Sequence, residues 1–303
     1  MEETARIGMT KQRADAVALY LDMVKLSLTD SIYWDDPLAL YAFYRSGASP
    51  SGWKRWSGAV LEKLLSRKNI RLVRPYATPF KNFGQLSEAE LADIRESGHH
   101  WPVRAHTMIG LKRLDNIQSC VEIVIRDGIP GDLIETGVWR GGACIFMRSI
   151  LKAFGDTARI VWVADSFVGL PPPNATEYGA DTGDKLHCYR DFLGVSRQVV
   201  EENFRRYNLL DGQVRFLEGW FKDTLPKAPI NRLAVLRLDG DMYESTMQAL
   251  EALYHRLSRG GFVIVDDYNL APCRQAVTDF RAAGSINDAI IDIDGNGVFW
   301  RKS

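Results

Sequence analysis

From about Thr107 to the C-terminus, short apolar runs alternate with helix-patterned segments, and this alternation limits the possible folds more than any other feature. The runs "GDLIETG", "RIVWVADS", "VRFLEGW", "LAVLRLDGD" and "FVIVDDY" have the length and near-continuous apolarity of strands buried on both faces. Between them, "GGACIFMRSILKAFG", "SRQVVEENFRRYNL", "STMQALEALYHRLSRGG" and "CRQAVTDFRAAG" carry helical periodicity. "TMIGLKRLDNIQSCVEIVIRDG" precedes them as a helix closing at Gly128, and "AIIDIDGNGVFWRK" ends the chain as antiparallel strands around Gly295 and Gly297. The expected fold is α/β: a largely parallel sheet with helices on both faces. Ligands of such sheets sit beyond the carboxyl ends of the strands, so the residues following each strand carry the functional argument.

The first hundred residues have a different texture, helical and unusually aromatic. "RADAVALYLDMVKLSLTD" sets Val17, Leu21, Val24 and Leu28 on one helical face. In "LSEAELADIRES", Ser87 is a helix cap with Glu90 three positions on. This divides the chain into 1–105, a helical N-terminal extension suited to a lid or subunit contacts, and 106–303, the α/β domain. The aromatic set Tyr33, Trp34, Tyr41, Phe43, Tyr44, Trp53 and Trp56 reads as core or interface before it reads as a platform for stacking a ligand. With 38 basic and 38 acidic side chains among 303 residues, net charge is zero, which argues against nucleic acid or an anionic membrane as a partner. Cys120, Cys144, Cys188 and Cys273 are scattered and form no metal-type pair, and the N-terminus has no apolar signal core. No apolar run approaches the roughly 20 residues of a membrane span. A soluble, cytoplasmic protein is expected.

After the first strand, "ETGVWRGG" places Gly137, Gly141 and Gly142 in a tight turn into a helix. Such turns serve packing as often as ligand approach, and the GxGxxG spacing is absent. The second strand ends at Asp165, where an acid can accept hydrogen bonds from ribose hydroxyls. Together, the turn and the acid favour a nucleoside-bearing cofactor. Asp239 and Asp241 end one strand, and Asp266 and Asp267 end the next. Four carboxylates at one sheet edge require protonation or a cation, and an all-oxygen set suits a hard ion such as Mg²⁺.

These motifs, with "LYLDMVKLSLTDSIYWDD", "ADSFVGLP", "EGWFKDTLPKAPI" and "LAVLRLDGDMYESTMQALEALYHRLSRGGFVIVDDYN", resemble the macrocin O-methyltransferase family. The resemblance implies a Rossmann-like seven-stranded methyltransferase sheet. It also implies an enzyme dependent on S-adenosyl-L-methionine and Mg²⁺ that methylates a sugar hydroxyl on a glycosylated antibiotic-type natural product. By the same resemblance, Asp239, Asp266 and Asp267 hold the metal and Asp241 is the general base. Thr107, Met108, Glu135, Thr136, Gly137, Gly141 and Gly142 line the methionine half of the cofactor, beside Asp239. Asp165 and Ser166 hold the ribose, and Gly219, Trp220 and Phe221 border the adenine. Between about Asp36 and His106 the chain departs from the usual pattern, being longer and more aromatic.

Four other readings stand beside this one. The DGD triplet fits a metal-dependent glycosyltransferase, but that gives "ETGVWRGG" no role. A DxD phosphohydrolase needs its acids near the first strand. A non-catalytic protein could retain the fold, and the acceptor could be a secondary metabolite without a sugar. His255, at a helix end, reads as structural, and His106 as packing or capping. His99, His100 and Trp101 carry no assignable role. Arg140 either pairs with Glu135 or meets the cofactor carboxylate.

Overall fold

A computed structural model describes residues 2–32, 87–99 and 104–303. The aromatic set from Tyr33 to Trp56, together with His100 and Trp101, lies outside the described residues. Within them the elements run α1 (Glu2–Leu28), α2 (Glu88–Ser97), α3 (Leu111–Arg126), β1 (Asp132–Thr136), α4 (Gly142–Phe154), β2 (Val161–Asp165) and α5 (Arg197–Arg206). They continue with β3 (Val214–Glu218), a single-turn α6 (Phe221–Thr224), β4 (Leu233–Leu238), α7 (Tyr243–Leu253), β5 (Leu257–Val265), α8 (Ala271–Ala283), β6 (Ile291–Asp292) and β7 (Val298–Arg301).

The strands form one seven-stranded sheet in the order β3-β2-β1-β4-β5-β7-β6. The first five are mutually parallel, and β7 runs antiparallel to both β5 and β6. Strand order reverses at β1, so a crevice opens where β1 and β4 end side by side. Successive strand residues feed opposite cores. Leu133, Val161, Val163 and Val235 join a cluster with Leu114 and Ile117 of α3, Phe146 and Ile150 of α4, and Val200 and Phe204 of α5. Ile134, Trp162, Leu236 and Val263 join Ala249 and Leu250 of α7 and Val277 of α8. Apolarity on both strand faces is what two helical layers demand.

The amphipathic face expected in α1 is present. Leu21, Val24 and Leu28 are buried in the first cluster with Val17 packed against it, and the helix lies along α4. Covered by the sheet on one side and by α1 and α3 on the other, α4 is buried from Gly142 to Leu151. The Ser87–Glu90 capping box also forms: Ser87 Oγ accepts from the Glu90 N–H at 3.3 Å, and Glu90 Oε2 accepts from the Ser87 N–H at 2.8 Å.

One boundary differs from expectation. The helical pattern after β4 extends through "LSRGG", yet α7 ends at Leu253 and β5 begins at Leu257. Tertiary pairing explains the change. The Gly260 N–H donates to Lys302 O at 2.7 Å and the Lys302 N–H to Gly261 O at 2.8 Å, which holds this stretch extended beside the C-terminus. His255 therefore lies exposed in a 3-10 turn, Tyr254–Arg256, rather than in the last turn of an α-helix.

Candidate active site

A cleft of about 320 Å³ lies at the carboxyl ends of β1, β2 and β4. One wall comes from the β1 turn and the end of β2: Gly137, Asp165 and Ser166. Gly219, Trp220 and Phe221 at the end of β3 form another, and Met108 also contributes. Facing them are Asp239, Gly240 and Asp241 after β4. Thus residues distant in the chain and singled out from the sequence meet in one cavity.

Several glycines matter for approach. Gly137 has φ +88°, and a Cβ there would run into the carbonyl oxygen of Asp239. The β1 turn can lie against the end of β4 only because this side chain is absent. Gly141 and Gly142 do not line the cleft. A Cβ on Gly141 would come within 2.7 Å of Val200 Cγ1, and one on Gly142 would strike the His106 carbonyl. Their visible role is to let α4 start close beneath α5 and the 104–107 segment.

Asp165 is committed to its own turn. Its Oδ2 accepts from the Val138 N–H and its Oδ1 from the Phe167 N–H, both at 2.7 Å. Burial pushes its carboxyl up, opposed by these backbone donors. A carboxylate offers about four acceptor directions, so hydroxyls in the cleft can still reach it. Ser166 Oγ donates to Gly169 O at 2.7 Å. Thr107 and Thr136 are buried away from the cavity: Thr107 Oγ1 accepts from the Ile109 N–H at 3.3 Å, and Thr136 Oγ1 donates to Arg237 O at 3.4 Å.

The acidic rim is more elaborate than its four aspartates suggested. One oxygen from each of Asp239, Asp266 and Asp267 lies within 4.8 Å of the others. Asp241, in the left-handed region at φ +60°, donates its N–H to Asp267 Oδ2 at 3.0 Å. Beneath the rim sits Arg237, fully buried in β4. Its Nη1 bonds Glu135 and also Asp239 Oδ2, the latter at 2.6 Å, and its Nη2 bonds Asp266. Arg113 of α3 takes the second Asp266 oxygen at 2.6 Å and lies 3.0 Å from Asp294 Oδ2.

Glu135 is consequently paired with Arg237, not Arg140, and has no face on the cleft. Arg140 instead donates to Ala105 O at 2.8 Å and lies over the Trp139 ring. The expectation that the acids are uncompensated is corrected in part, because two guanidiniums already answer them. Neither arginine was singled out from the sequence. The available signal was a lone basic residue inside the apolar run "VLRLDG".

Two guanidiniums do not balance six carboxylates: Glu135, Asp239, Asp241, Asp266, Asp267 and Asp294. Burial, then repulsion from Asp266, pushes the Asp239 carboxyl up to about 6 despite Arg237. Burial, then Asp239, Asp266 and Asp184, pushes Asp241 up to about 8. Burial and Asp241 drive Asp267 well above the carboxylate range. This surplus, carried by hard oxygen ligands, fits a divalent cation held by Asp239, Asp266 and Asp267.

His106 lies behind the β1 turn. Its Nδ1 is 3.1 Å from Tyr207 Oη, its N–H donates to Leu28 O and its carbonyl accepts from the Gly142 N–H. His99 Nδ1 lies 2.9 Å from Ser97 Oγ. Both histidines have local partners and neither lines the cleft.

A family model described as Macrocin-O-methyltransferase (TylF) matches residues 17–302. This chain belongs to the macrocin-O-methyltransferase family. It is an O-methyltransferase, which sets aside the glycosyltransferase, phosphohydrolase and non-catalytic readings. The matched range includes positions 36–106, where a departure from the family was expected. The chain is similar to an 8-demethyl-8-(2,3-dimethoxy-alpha-L-rhamnosyl)-tetracenomycin-C 4'-O-methyltransferase of Streptomyces olivaceus, at 50% identity over 95% of this chain and 94% of that one. It is also similar to a mycinamicin III 3''-O-methyltransferase of Micromonospora griseorubida, at 55% identity over 73% and 88%. Among solved structures it resembles the O-methyltransferase NovP, with TM-score 0.76 and 45% identity over 95% of this chain and 99% of that one. Macrocin-O-methyltransferase membership thus agrees with the seven-stranded methyltransferase sheet described above. Among the described residues no helix is long and apolar enough to cross a membrane.

Proposed function

We propose that this macrocin-family enzyme transfers a methyl group from S-adenosyl-L-methionine to a hydroxyl of a deoxysugar on a glycosylated natural product. The observation carrying this reading is the cleft itself: a glycine turn and a β2 acid on one wall, and Asp239 and Asp241 on the other. Gly137 permits close approach of the donor's amino-acid portion to backbone. Asp165 and Ser166 supply oxygens at the position of a ribose, and Trp220 and Phe221 supply a flat apolar border for a purine. The acceptor specificity follows the relatives, two of which are named for methylation of glycosylated antibiotics or the sugars they carry.

An alcohol is a weak nucleophile, so activation of its oxygen is the demanding part of the reaction. Asp239, Asp266 and Asp267 would hold Mg²⁺, which when bound supplies Lewis-acid polarisation of an alcohol oxygen. Asp241, on the same rim, accepts the hydroxyl proton, a contribution of roughly 10²–10⁴-fold. The two walls hold donor and acceptor in line, which lowers the entropic share of the barrier. Incubation with isotopically labelled S-adenosyl-L-methionine and a panel of glycosylated metabolites tests the proposal by mass spectrometry. Label on a sugar fragment is expected; label confined to aglycone hydroxyls would remove the sugar from the assignment.

A further inference from the structure

Arg237 is fully buried and does not itself line the cleft; both of its Nη nitrogens bond acids, while its Nε has no hydrogen-bond partner among the described residues. Its guanidinium reaches Glu135 at the end of β1, Asp239 after β4 and Asp266 after β5, the tips of three strands adjacent in the sheet. Glu135 and Arg237 are also register partners across β1 and β4, so the fork is anchored before it reaches the loops. Asp239 has one oxygen on Arg237, leaving the other uncommitted to it. Among the described residues, Asp241 and Asp267 have no guanidinium contact; the Asp241 N–H donates to Asp267 Oδ2 instead. The acids thus divide into a group clamped by guanidiniums below and a pair at the rim without that contact.

We propose that Arg237 is a positioning residue for methyl transfer: its guanidinium fork locks the tips of β1, β4 and β5 together and thereby aims the rim acids at a divalent cation and the acceptor. This rests on the function proposed above. A lysine keeps the charge but concentrates it on one compact nitrogen, losing the planar two-nitrogen fork that reaches Asp266 on one side and Glu135 with Asp239 on the other. Groups that orient ligating carboxylates characteristically change affinity or activity by about 10–100-fold when removed.

The test compares wild type with Arg237→Lys. It uses Mn²⁺ binding and S-adenosylhomocysteine binding by calorimetry, together with steady-state transfer and thermal unfolding. For Arg237→Lys the expected result is a folded protein with S-adenosylhomocysteine affinity near wild type. Mn²⁺ affinity and kcat should each fall about 10–100-fold, with little change in the acceptor KM. Wild-type Mn²⁺ affinity and kcat in this variant would overturn the proposal, as would equal losses in every readout tracking a loss of folded protein. If Arg237→Lys does not fold, Glu135→Gln/Arg237→Met removes one anion with the cation and carries the same measurements. Failure of both to fold would assign Arg237 to the core alone and also overturn the proposal. A wild-type protein that binds neither ligand would instead fault the functional reading.

Discussion

Asp241 illustrates how one side chain acquires its chemistry from its surroundings. An exposed aspartate is a weak base, whereas burial and the neighbouring Asp239 push this one up to about 8, so it is free to accept a proton as pH rises through that value or once a cation on the rim offsets its acidic neighbours. Its left-handed backbone conformation, following Gly240, brings it onto the rim beside Asp267. Asp241→Asn should therefore bind S-adenosylhomocysteine nearly as wild type does while turnover drops about 10²–10⁴-fold. Calorimetry and product mass spectrometry check the two halves separately, and retained turnover would exclude Asp241 as the base. His106 shows the opposite effect. Burial, then Arg140 and Arg206, hold its imidazole neutral, down to about 4. The unfolded chain takes up that proton first as pH falls, so stability is lost between pH 6.5 and about 4 and is unaffected above it. Thermal melts across this window should show a shallower pH slope for His106→Gln than for wild type.

At the scale of elements, the segment between β2 and α5 governs the start of α7. Asp181, almost fully buried, accepts from the Tyr243 N–H at 2.7 Å and the Glu244 N–H at 3.0 Å. It caps the helix from 62 positions away in sequence, where a local Ser, Thr, Asp or Asn would ordinarily serve. The residue at the local cap position is Met242, which has no suitable side chain. The capped turn directly follows Asp241. Asp181→Ala should destabilise the protein by about 1–2 kcal/mol in denaturant unfolding. It should also weaken kcat, because the turn carrying Asp241 loses its tether. An unchanged unfolding midpoint would show that the two bonds contribute nothing net.

For the whole molecule, the site sits where three strand ends and two helical layers meet, so ligand binding is linked to global stability. S-adenosylhomocysteine at 100 times its dissociation constant should stabilise the fold by about 2.7 kcal/mol, seen as a raised melting temperature. UDP should produce no comparable shift. Treatment with EDTA should abolish transfer, and added Mg²⁺ should restore it; full activity in chelator would dismiss the metal. The same treatment should leave the sheet intact, since Arg237 and Arg113 already neutralise part of the acidic floor.

The strand and helix pattern was legible because covering both faces of a sheet leaves a periodicity that each segment carries alone. That Gly137, Asp165, Asp239 and Asp241 would meet at one edge was legible for a related reason: in a parallel sheet, residues just past the strands lie side by side. What could not be read locally was partnership. Glu135 looked like a cofactor contact until folding set it opposite Arg237, and the helical "LSRGG" became a strand once Lys302 lay beside it. Gly141 and Gly142 signalled close approach, but only packing showed that α5 and the His106 carbonyl, rather than a ligand, occupy the space. Periodicity and strand-end position are properties of the chain. Charge pairing and steric fit belong to contacts between residues far apart in the chain, 102 positions for Glu135 and Arg237, and those exist only after the chain has folded.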